Sequence, residues 1–265
     1  MNDRVVIDRD GPVAHVRMVR TDRANSLDVP MFKALIAAGE QIMADRSVRA
    51  VILSGDGGGF CAGIDFEVLN AMQGGGIGGV SDISTPTHGI CNFFQYSAYV
   101  WQKVPVPVIA AVHGYALGGG LEIALGADMR YVAPDTKFAV KEVIMGLIPD
   151  VGGTVYTRDL VRGDIMRDLM FTGREFDGRA AYDYGLATRL ADDPLAAAWQ
   201  SARDIAAKSP DAVRALKRVA VLGNDTRYAP MFLAEGVEQQ ALVGTANQSE
   251  AVRAYMEKRP ARFDI

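Results

Sequence analysis

The order of apolar and polar residues predicts alternating strands and helices. Apolar and polar residues alternate in residues 5–7 and 14–18, on either side of Asp10-Gly11-Pro12, and this pattern predicts a β-hairpin. Residues 28–44 then carry a helical pattern, with Asp28 as a suitable N-cap and a proline in the first turn. The N-terminal part of the chain therefore predicts a hairpin followed by a helix.

Two short apolar runs predict buried strands, and a cluster of glycines follows each run. Residues 50–54 precede Gly55-Asp56-Gly57-Gly58-Gly59, and residues 107–112 precede Gly118-Gly119-Gly120. A helix is predicted to start at Leu121, directly after the second cluster. Because glycine adds no side-chain bulk, backbone N–H groups at such strand ends can approach a ligand closely.

A segment rich in Gly, Ser and Thr separates the two strands. Its first part, Gly74-Gly75-Gly76-Ile77-Gly78-Gly79, formally matches a dinucleotide-binding pattern, but no predicted strand precedes it. Residues 74–86 therefore favour a loop. A helix is predicted to follow it at about residues 89–103.

The remaining pattern completes an α/β chain with a helical end. Residues 127–133 predict another strand. From about residue 201 the pattern is helical, with breaks at Ser209-Pro210 and near residues 223–225. We therefore predict two regions, a core of residues 1–200 and a helical C-terminal region of residues 201–265.

Composition narrows the class of protein. The chain has 265 residues, a net charge of −4 and no block of like charge, which argues against a basic nucleic-acid surface. Two cysteines give neither a metal spacing nor a disulfide framework. No apolar secretory segment begins the chain, and no apolar run is long enough to cross a bilayer. We expect a cytoplasmic protein without nucleic-acid or membrane partners.

The second glycine cluster carries the strongest sign of chemistry. A strand that runs through three glycines into a helix leaves free N–H groups at the helix start, which can stabilise a developing negative charge. The Glu122 carboxyl follows one or two residues inside that helix. The first cluster can supply a second donor to the same oxygen. A close-packed strand-to-helix turn is the structural alternative.

Two motifs together identify a family. The segments 60–65 (Phe-Cys-Ala-Gly-Ile-Asp) and 113–122 (His-Gly-Tyr-Ala-Leu-Gly-Gly-Gly-Leu-Glu) resemble the crotonase superfamily, the enoyl-CoA hydratases and isomerases. The resemblance continues in further segments, namely residues 20–28, 127–130, 138–153 and 184–187. It implies an α/β crotonase fold of twisted, stacked sheets with interleaved helices. It also implies C-terminal helices that assemble a homotrimer or a dimer of trimers.

The same resemblance implies acyl-CoA thioester substrates and no metal or redox cofactor, since coenzyme A is part of the substrate. By position, the backbone N–H groups of Ile64 and Gly119 are the expected oxyanion-hole donors. The substrate- and CoA-binding residues expected from the matching motifs are Arg23, Ala24, Ala62, Gly63 and Asp65. For Arg23, an ordinary surface charge is the alternative interpretation.

Carboxylates distinguish the reactions within this family. Glu122 and Glu142 occupy the positions of the hydratase pair, in which one group activates water and the other delivers a proton. Glu142 lies in an otherwise apolar stretch, which favours a catalytic role. We therefore expect hydration of a trans-2-enoyl-CoA to a 3-hydroxyacyl-CoA.

Asp150 keeps two alternatives open, because typical hydratases carry glycine at this position. Dienoyl-CoA isomerases resemble this chain in having a glutamate and an aspartate at the spacing of Glu142 and Asp150. That pair would convert a 3,5-dienoyl-CoA into a 2,4-dienoyl-CoA. Asp150 can equally cap the following helix. An alternative of another class is a catalytically weak CoA-binding or scaffold protein, against which the complete set of acids argues.

Overall fold

An antiparallel hairpin begins a sheet of six strands. The computed structural model describes residues 3–72, 80 and 82–263. Its strands are β1 (Val5–Asp10), β2 (Val13–Met18), β3 (Ala50–Gly55), β4 (Val108–Val112), β5 (Tyr115–Leu117), β6 (Met129–Val132), β7 (Lys137–Ala139) and β8 (Arg189–Leu190). The large sheet has the order β1-β2-β3-β4-β6-β8. The β1–β2 pair is antiparallel, which confirms the predicted hairpin, and every later pair is parallel.

Eleven helices in the described part of the chain surround the sheets. They are α1 (Val29–Ala44), α2 (Phe66–Met72), α3 (Phe93–Lys103), α4 (Gly119–Leu125), α5 (Gly153–Leu160), α6 (Gly163–Thr172), α7 (Gly178–Tyr184), α8 (Pro194–Ala206), α9 (Pro210–Ala220), α10 (Asn224–Leu242) and α11 (Ala246–Met256). Two short 3₁₀ helices span Thr21–Arg23 and Glu142–Met145. None of the described helices is long and apolar enough to cross a membrane.

Both faces of the large sheet are buried, which explains the continuous apolar runs of its central strands. On one face Ile52 and Ile109 pack against the small residues Ala198 and Ala202 of α8. The opposite face, which includes Leu53, belongs to the main core with α1 and α3. Successive residues of a strand point to opposite faces, so a mostly apolar strand can serve both cores.

The C-terminal helices begin earlier than the sequence indicates. The predicted boundary between residues 200 and 201 falls inside α8 (Pro194–Ala206), whose alanines pack on the sheet. The predicted helix breaks are confirmed: Ser209 caps α9 through the N–H of Ala212, and Gly223 precedes α10 with a φ of 84°.

Two other helix starts differ from the predicted ones. The helix predicted from residue 89 begins at Phe93, because Asn92 and Gln95 form a capping box there. The helix predicted from Leu121 begins two residues earlier, at Gly119. The glycine-rich segment 74–79 lies outside the described residues.

A second sheet, of two strands, positions the two glycine-rich segments of the candidate site. Its strands β5 and β7 are parallel, and β5 occupies the stretch between β4 and the second glycine cluster. An isolated parallel bridge joins Cys61 to Ala116. The first glycine-rich strand end therefore lies directly beside the second.

Candidate active site

The two glycine-rich segments touch where side chains would not fit. An ideal Cβ on Gly63 would lie 2.6 Å from the Leu117 carbonyl oxygen. An ideal Cβ on Gly120 would lie 2.5 Å from the Cys61 carbonyl oxygen. Real Cβ atoms do not come this close to backbone oxygens, so glycine is required at both positions. This close approach brings the Ile64 and Gly119 segments side by side.

The two predicted oxyanion donors have free backbone N–H groups. Leu27 donates to the Gly63 carbonyl at 2.8 Å and accepts from the Asp65 N–H at 3.1 Å, so these bonds flank Ile64 without using its amide. Gly119 is the first residue of α4, where no preceding helical carbonyl can accept its N–H. Across the described residues, neither amide donates to a backbone carbonyl. Both are available to a thioester oxygen.

A cavity of about 440 Å³ opens beside these amides. Its lining includes a mixed apolar wall from several elements, formed by Phe66, Leu69, Leu117, Met145, Leu147 and Tyr255. The predicted site residues that line it are Arg23, Ala24, Ala62, Gly63, Ile64, Asp65 and Glu142. Gly119, Glu122 and Asp150 are not among the lining residues, although Gly118 is.

Of the three predicted catalytic acids, Glu142 is the one that lines the cavity. It begins the 3₁₀ helix that follows β7, and its Oε1 lies so close to Gly118 that a Cβ there would approach it to 2.6 Å. Burial raises the pKa of Glu142, and interaction with the neighbouring Glu122 carboxyl acts in the opposite direction.

Glu122 lies behind Glu142 on α4 and is fully buried. Its Oε2 accepts a hydrogen bond of 2.5 Å from the Val151 N–H. Burial raises the pKa of Glu122 well above its ordinary value, and repulsion from Glu142, Asp150 and Glu235 adds to this effect. Burial thus raises the pKa of both glutamates and favours a neutral carboxyl in this pair.

Asp150 lies at the turn before α5 and does not cap that helix. The N-cap of α5 is Gly152, with no side-chain capping bond, so the alternative capping role is wrong. Burial and repulsion from Glu235 and Glu142 raise the pKa of Asp150 well above its ordinary value, and interaction with Gln239 partly opposes this. The structure thus groups Asp150 with the two glutamates.

A fourth acid in this cluster, Glu235, was not predicted. It is buried on α10 and accepts hydrogen bonds from Gln95, Gly152 and Thr154. Burial raises its pKa to about 7, although those hydrogen bonds favour the charged form. The buried face of α10 also carries Phe232 and Gln239. Polar residues on this otherwise apolar face are the sequence signal that could have revealed it.

Asn25 is a second residue that the sequence did not single out. It is fully buried, and its side-chain NH₂ donates to the carbonyls of Asp56, Gly59 and Phe60 at 2.9, 3.2 and 3.2 Å. Asn25 and Ala24 both have positive φ, of 55° and 54°. These contacts fix the first glycine-rich segment against residues 20–28, which include the predicted CoA-binding residues Arg23 and Ala24.

Two predicted CoA-binding residues have different surroundings. Arg23 is exposed and lies 3.9 Å from Glu67 in a surface ion pair, so it can reach a ligand at the cavity mouth. Asp65 is buried, and its Oδ2 accepts from Arg20 at 2.6 Å and from Ser26 at 2.8 Å. Its Oδ1 accepts from the Glu67 N–H at 2.8 Å. Both Asp65 oxygens are therefore occupied in holding the Ile64 turn.

The described residues near the site provide neither a reactive thiol at Cys61 nor a cluster of metal-binding side chains. Burial raises the pKa of the Cys61 thiol to about 12, which keeps it protonated and unreactive. Among the residues that the structure describes, no group of three or more His, Cys, Asp or Glu side chains is arranged to hold a metal ion.

A family comparison agrees with this geometry. The model of the family described as "Enoyl-CoA hydratase/isomerase" matches residues 8–264, and the chain belongs to this family. The family acts on acyl-CoA thioesters, and the chain is an enzyme of hydratase or isomerase type.

Individual relatives carry both activities in their names. The chain is 32% identical over 257 residues to "Delta(3,5)-Delta(2,4)-dienoyl-CoA isomerase, mitochondrial" of Mus musculus, covering 94% of this chain and 78% of the mouse protein. It is 31% identical over 253 residues to "Probable enoyl-CoA hydratase 2, mitochondrial" of Arabidopsis thaliana, covering 94% and 81%. The crystal structure of an enoyl-CoA hydratase/isomerase from Pseudoalteromonas atlantica T6c has a TM-score of 0.86 and 27% identity, covering 98% of this chain and 100% of that one. The expected crotonase fold is confirmed.

Proposed function

We propose that the chain is an enoyl-CoA hydratase, which adds water across a trans-2-enoyl thioester to give a 3-hydroxyacyl-CoA. One observation carries the proposal. Within the described part of the chain, Glu122 Oε1 and Glu142 Oε2 are both buried and neither has a hydrogen-bond partner. A buried carboxyl oxygen without a partner is costly. A reacting water that donates one O–H to each glutamate relieves both costs and lies beside the substrate.

The oxyanion hole lowers the barrier of this reaction. Addition at C3 turns the thioester carbonyl into an enolate, whose oxygen accepts hydrogen bonds from the N–H groups of Ile64 and Gly119. One such donor contributes roughly 3–4 kcal/mol to transition-state stabilisation. The apolar wall of the cavity accommodates the acyl chain.

The two glutamates accept and donate the protons that the reaction requires. In dehydration, ionised Glu142 removes a proton from C2 and protonated Glu122 gives a proton to the leaving hydroxyl, which departs as water. Hydration is the reverse: Glu122 takes a proton from water as oxygen bonds to C3, and Glu142 delivers a proton to C2. The pair carries one proton throughout, and the raised pKa of each glutamate is consistent with a pair that keeps a proton.

Dienoyl-CoA isomerisation is the second candidate. Repulsion between Asp150 and Glu142 contributes to the raised pKa of Asp150, which indicates that the two acids lie close to each other. Such a pair can remove a proton at one end of a 3,5-dienoyl thioester and return one at the other end. The named isomerase relatives favour this candidate as well.

Two thioesters distinguish the candidates. Purified protein is incubated with crotonyl-CoA, and loss of the conjugated enoyl absorbance is followed; a 3,5-dienoyl-CoA is assayed in parallel. Turnover of crotonyl-CoA supports hydratase, whereas conversion of the dienoyl-CoA alone refutes it. Asp150→Gly sharpens the result, because hydration should survive this change and isomerisation should not. Turnover of neither thioester would favour a scaffold or CoA-binding protein.

We further propose that the chain is cytoplasmic and assembles as a homotrimer or a dimer of trimers through residues 201–265. Size-exclusion chromatography with light scattering measures the mass in solution directly. A monomeric mass at micromolar concentration would contradict the proposed assembly.

A further inference from the structure

We propose that Glu235 is a positioning residue, whose carboxylate on α10 holds the turn that carries Asp150 and orients Glu122. The inference rests on the proposed function, because it assigns a task within the same reaction. Glu235 is not among the lining residues of the cavity. Both of its carboxylate oxygens accept hydrogen bonds from neighbouring groups, so it acts through these neighbours and not by touching substrate.

The first support is the set of bonds between Glu235 and the turn. Its Oε1 accepts from the Thr154 N–H at 3.0 Å and from the Thr154 Oγ1 at 2.5 Å. Its Oε2 accepts from the Gly152 N–H at 3.2 Å and from the Gln95 Nε2 at 3.3 Å. Both carboxylate oxygens are thus used, and three of the four donors belong to the segment directly after Asp150.

The second support is that Glu122 binds the same turn. The Val151 N–H, between Asp150 and Gly152, donates to Glu122 Oε2 at 2.5 Å. Successive amides of the turn therefore go to two different acids. Moving the turn moves both Asp150 and the bond that orients Glu122.

Gln239 extends this connection one helical turn further along α10. Its Oε1 accepts from the Ile148 N–H at 3.0 Å. Helix α10 thus holds the segment before Asp150 with Gln239 and the segment after it with Glu235. Residues four apart lie on one face of a helix, so a single rigid element sets the position of the whole turn.

Charge gives Glu235 a second effect on the same groups. The titratable groups that it faces are Glu122, Asp150, Tyr156 and Cys91, and its negative charge contributes to the raised pKa of each. Glutamine at 235 keeps the shape but removes the charge. It also replaces one accepting oxygen by an NH₂ group, which cannot accept from the turn.

The experiment compares Glu235→Gln with Glu238→Gln, an exposed glutamate on the same helix. Steady-state kinetics over a range of pH and hydrogen–deuterium exchange of residues 148–154 are measured on the full chain. We expect Glu235→Gln to lower kcat at least about tenfold with little change in KM. We expect the limb of its pH profile that reports Glu122 to move to lower pH, because the Glu235 charge that raises the pKa of Glu122 is removed. Exchange of the turn should accelerate. Glu238→Gln should match the unmodified protein.

A second variant covers the case in which Glu235→Gln does not fold. Thr154→Val removes only the hydroxyl donor, and we expect a smaller change of kcat and of exchange in the same direction. An active wild-type protein with unchanged kcat, pH profile and exchange in the folded variants would overturn the inference. If the wild-type protein converts neither thioester, the proposed function fails separately. The exchange data then decide alone whether Glu235 holds the turn.

Discussion

The backbone of Gly118 and the side chain of Glu142 are in close contact: a Cβ on Gly118 would lie 2.6 Å from Glu142 Oε1. Gly118 also has a φ of 50°, which disfavours other residues. Glycine at this position therefore permits the turn into α4 and leaves room for the Glu142 carboxyl beside the cavity.

The first prediction follows from this contact. Gly118→Ala should cost roughly 1–3 kcal/mol of stability through backbone strain and should also displace Glu142, so that turnover is largely lost. Gly89→Ala is the matched control, since Gly89 has a φ of 68° and no heavy atom within 4 Å of the added Cβ. Thermal unfolding and turnover of both variants are compared. Equal turnover of the two would contradict the role of the contact.

Glu142→Gln should lower kcat by roughly 10²–10⁴-fold, the usual contribution of a general acid or base. Thermal stability should hold or rise, because burial disfavours the charged form of this carboxyl. Glu175→Gln is a suitable control, since Glu175 is an exposed carboxylate in an ion pair with Lys141. A Glu142→Gln variant with near wild-type turnover would remove Glu142 from the mechanism.

Ile64→Pro should remove one oxyanion donor without breaking a backbone bond, because the Ile64 N–H donates to no described backbone carbonyl. We expect a loss of roughly 10²–10³-fold in kcat. Ile64→Val keeps the N–H and should stay close to wild-type turnover. Circular dichroism of both variants checks that the fold is retained. Full activity in a folded Ile64→Pro variant would exclude this donor.

The pH dependence of stability should show the titration of Glu235. Its pKa rises from 4.5 to about 7 on folding, so the folded state binds more protons than the unfolded state between these values. The contribution of Glu235 to stability therefore falls as pH rises from about 4.5 to about 7, with a slope of up to about 1.4 kcal/mol per pH unit. Denaturant unfolding at several pH values measures this slope.

Glu235→Gln removes the titrating group, so its stability relative to the wild-type protein should increase with pH across this window. Glu238→Gln should keep the wild-type slope. Parallel pH curves for the wild-type protein and Glu235→Gln would show that Glu235 does not titrate between these values.

Local pattern was enough to predict the longer strands and the glycine-rich turns, whereas the short strands β5, β7 and β8 were not predicted. The hairpin, α1 with its Asp28 cap, and the breaks at Ser209 and Gly223 all depend on neighbours in sequence. Short helices such as α6 and α7, with 10 and 7 residues, were not predicted. Such lengths offer two turns or so of periodicity, and packing decides their structure instead.

The residues of the candidate site also differ in how well the sequence could predict them. Glu122 and Glu142 could be found because each lies in a motif that is continuous in sequence. Asn25 could not, since its importance lies in bonds to backbone groups that are remote along the chain. For Glu235 the only signal was its polar side chain on the otherwise apolar face of α10, and its bonds to the remote turn are not visible in the sequence. The raised pKa values of the acids also depend on mutual distance and burial, and no sequence pattern expresses either quantity.

Because Glu235 and Gln239 belong to α10, this helix limits which segments enzymes of this architecture can exchange. A C-terminal region that served only for assembly could be exchanged between homologues without touching the reaction. Here an exchange of α10 alone would pair a foreign helix with the native Asp150 turn. A working chimera must therefore take α10 and the Asp150 turn from the same parent. These two segments are separate in the gene, so they would have to be exchanged together.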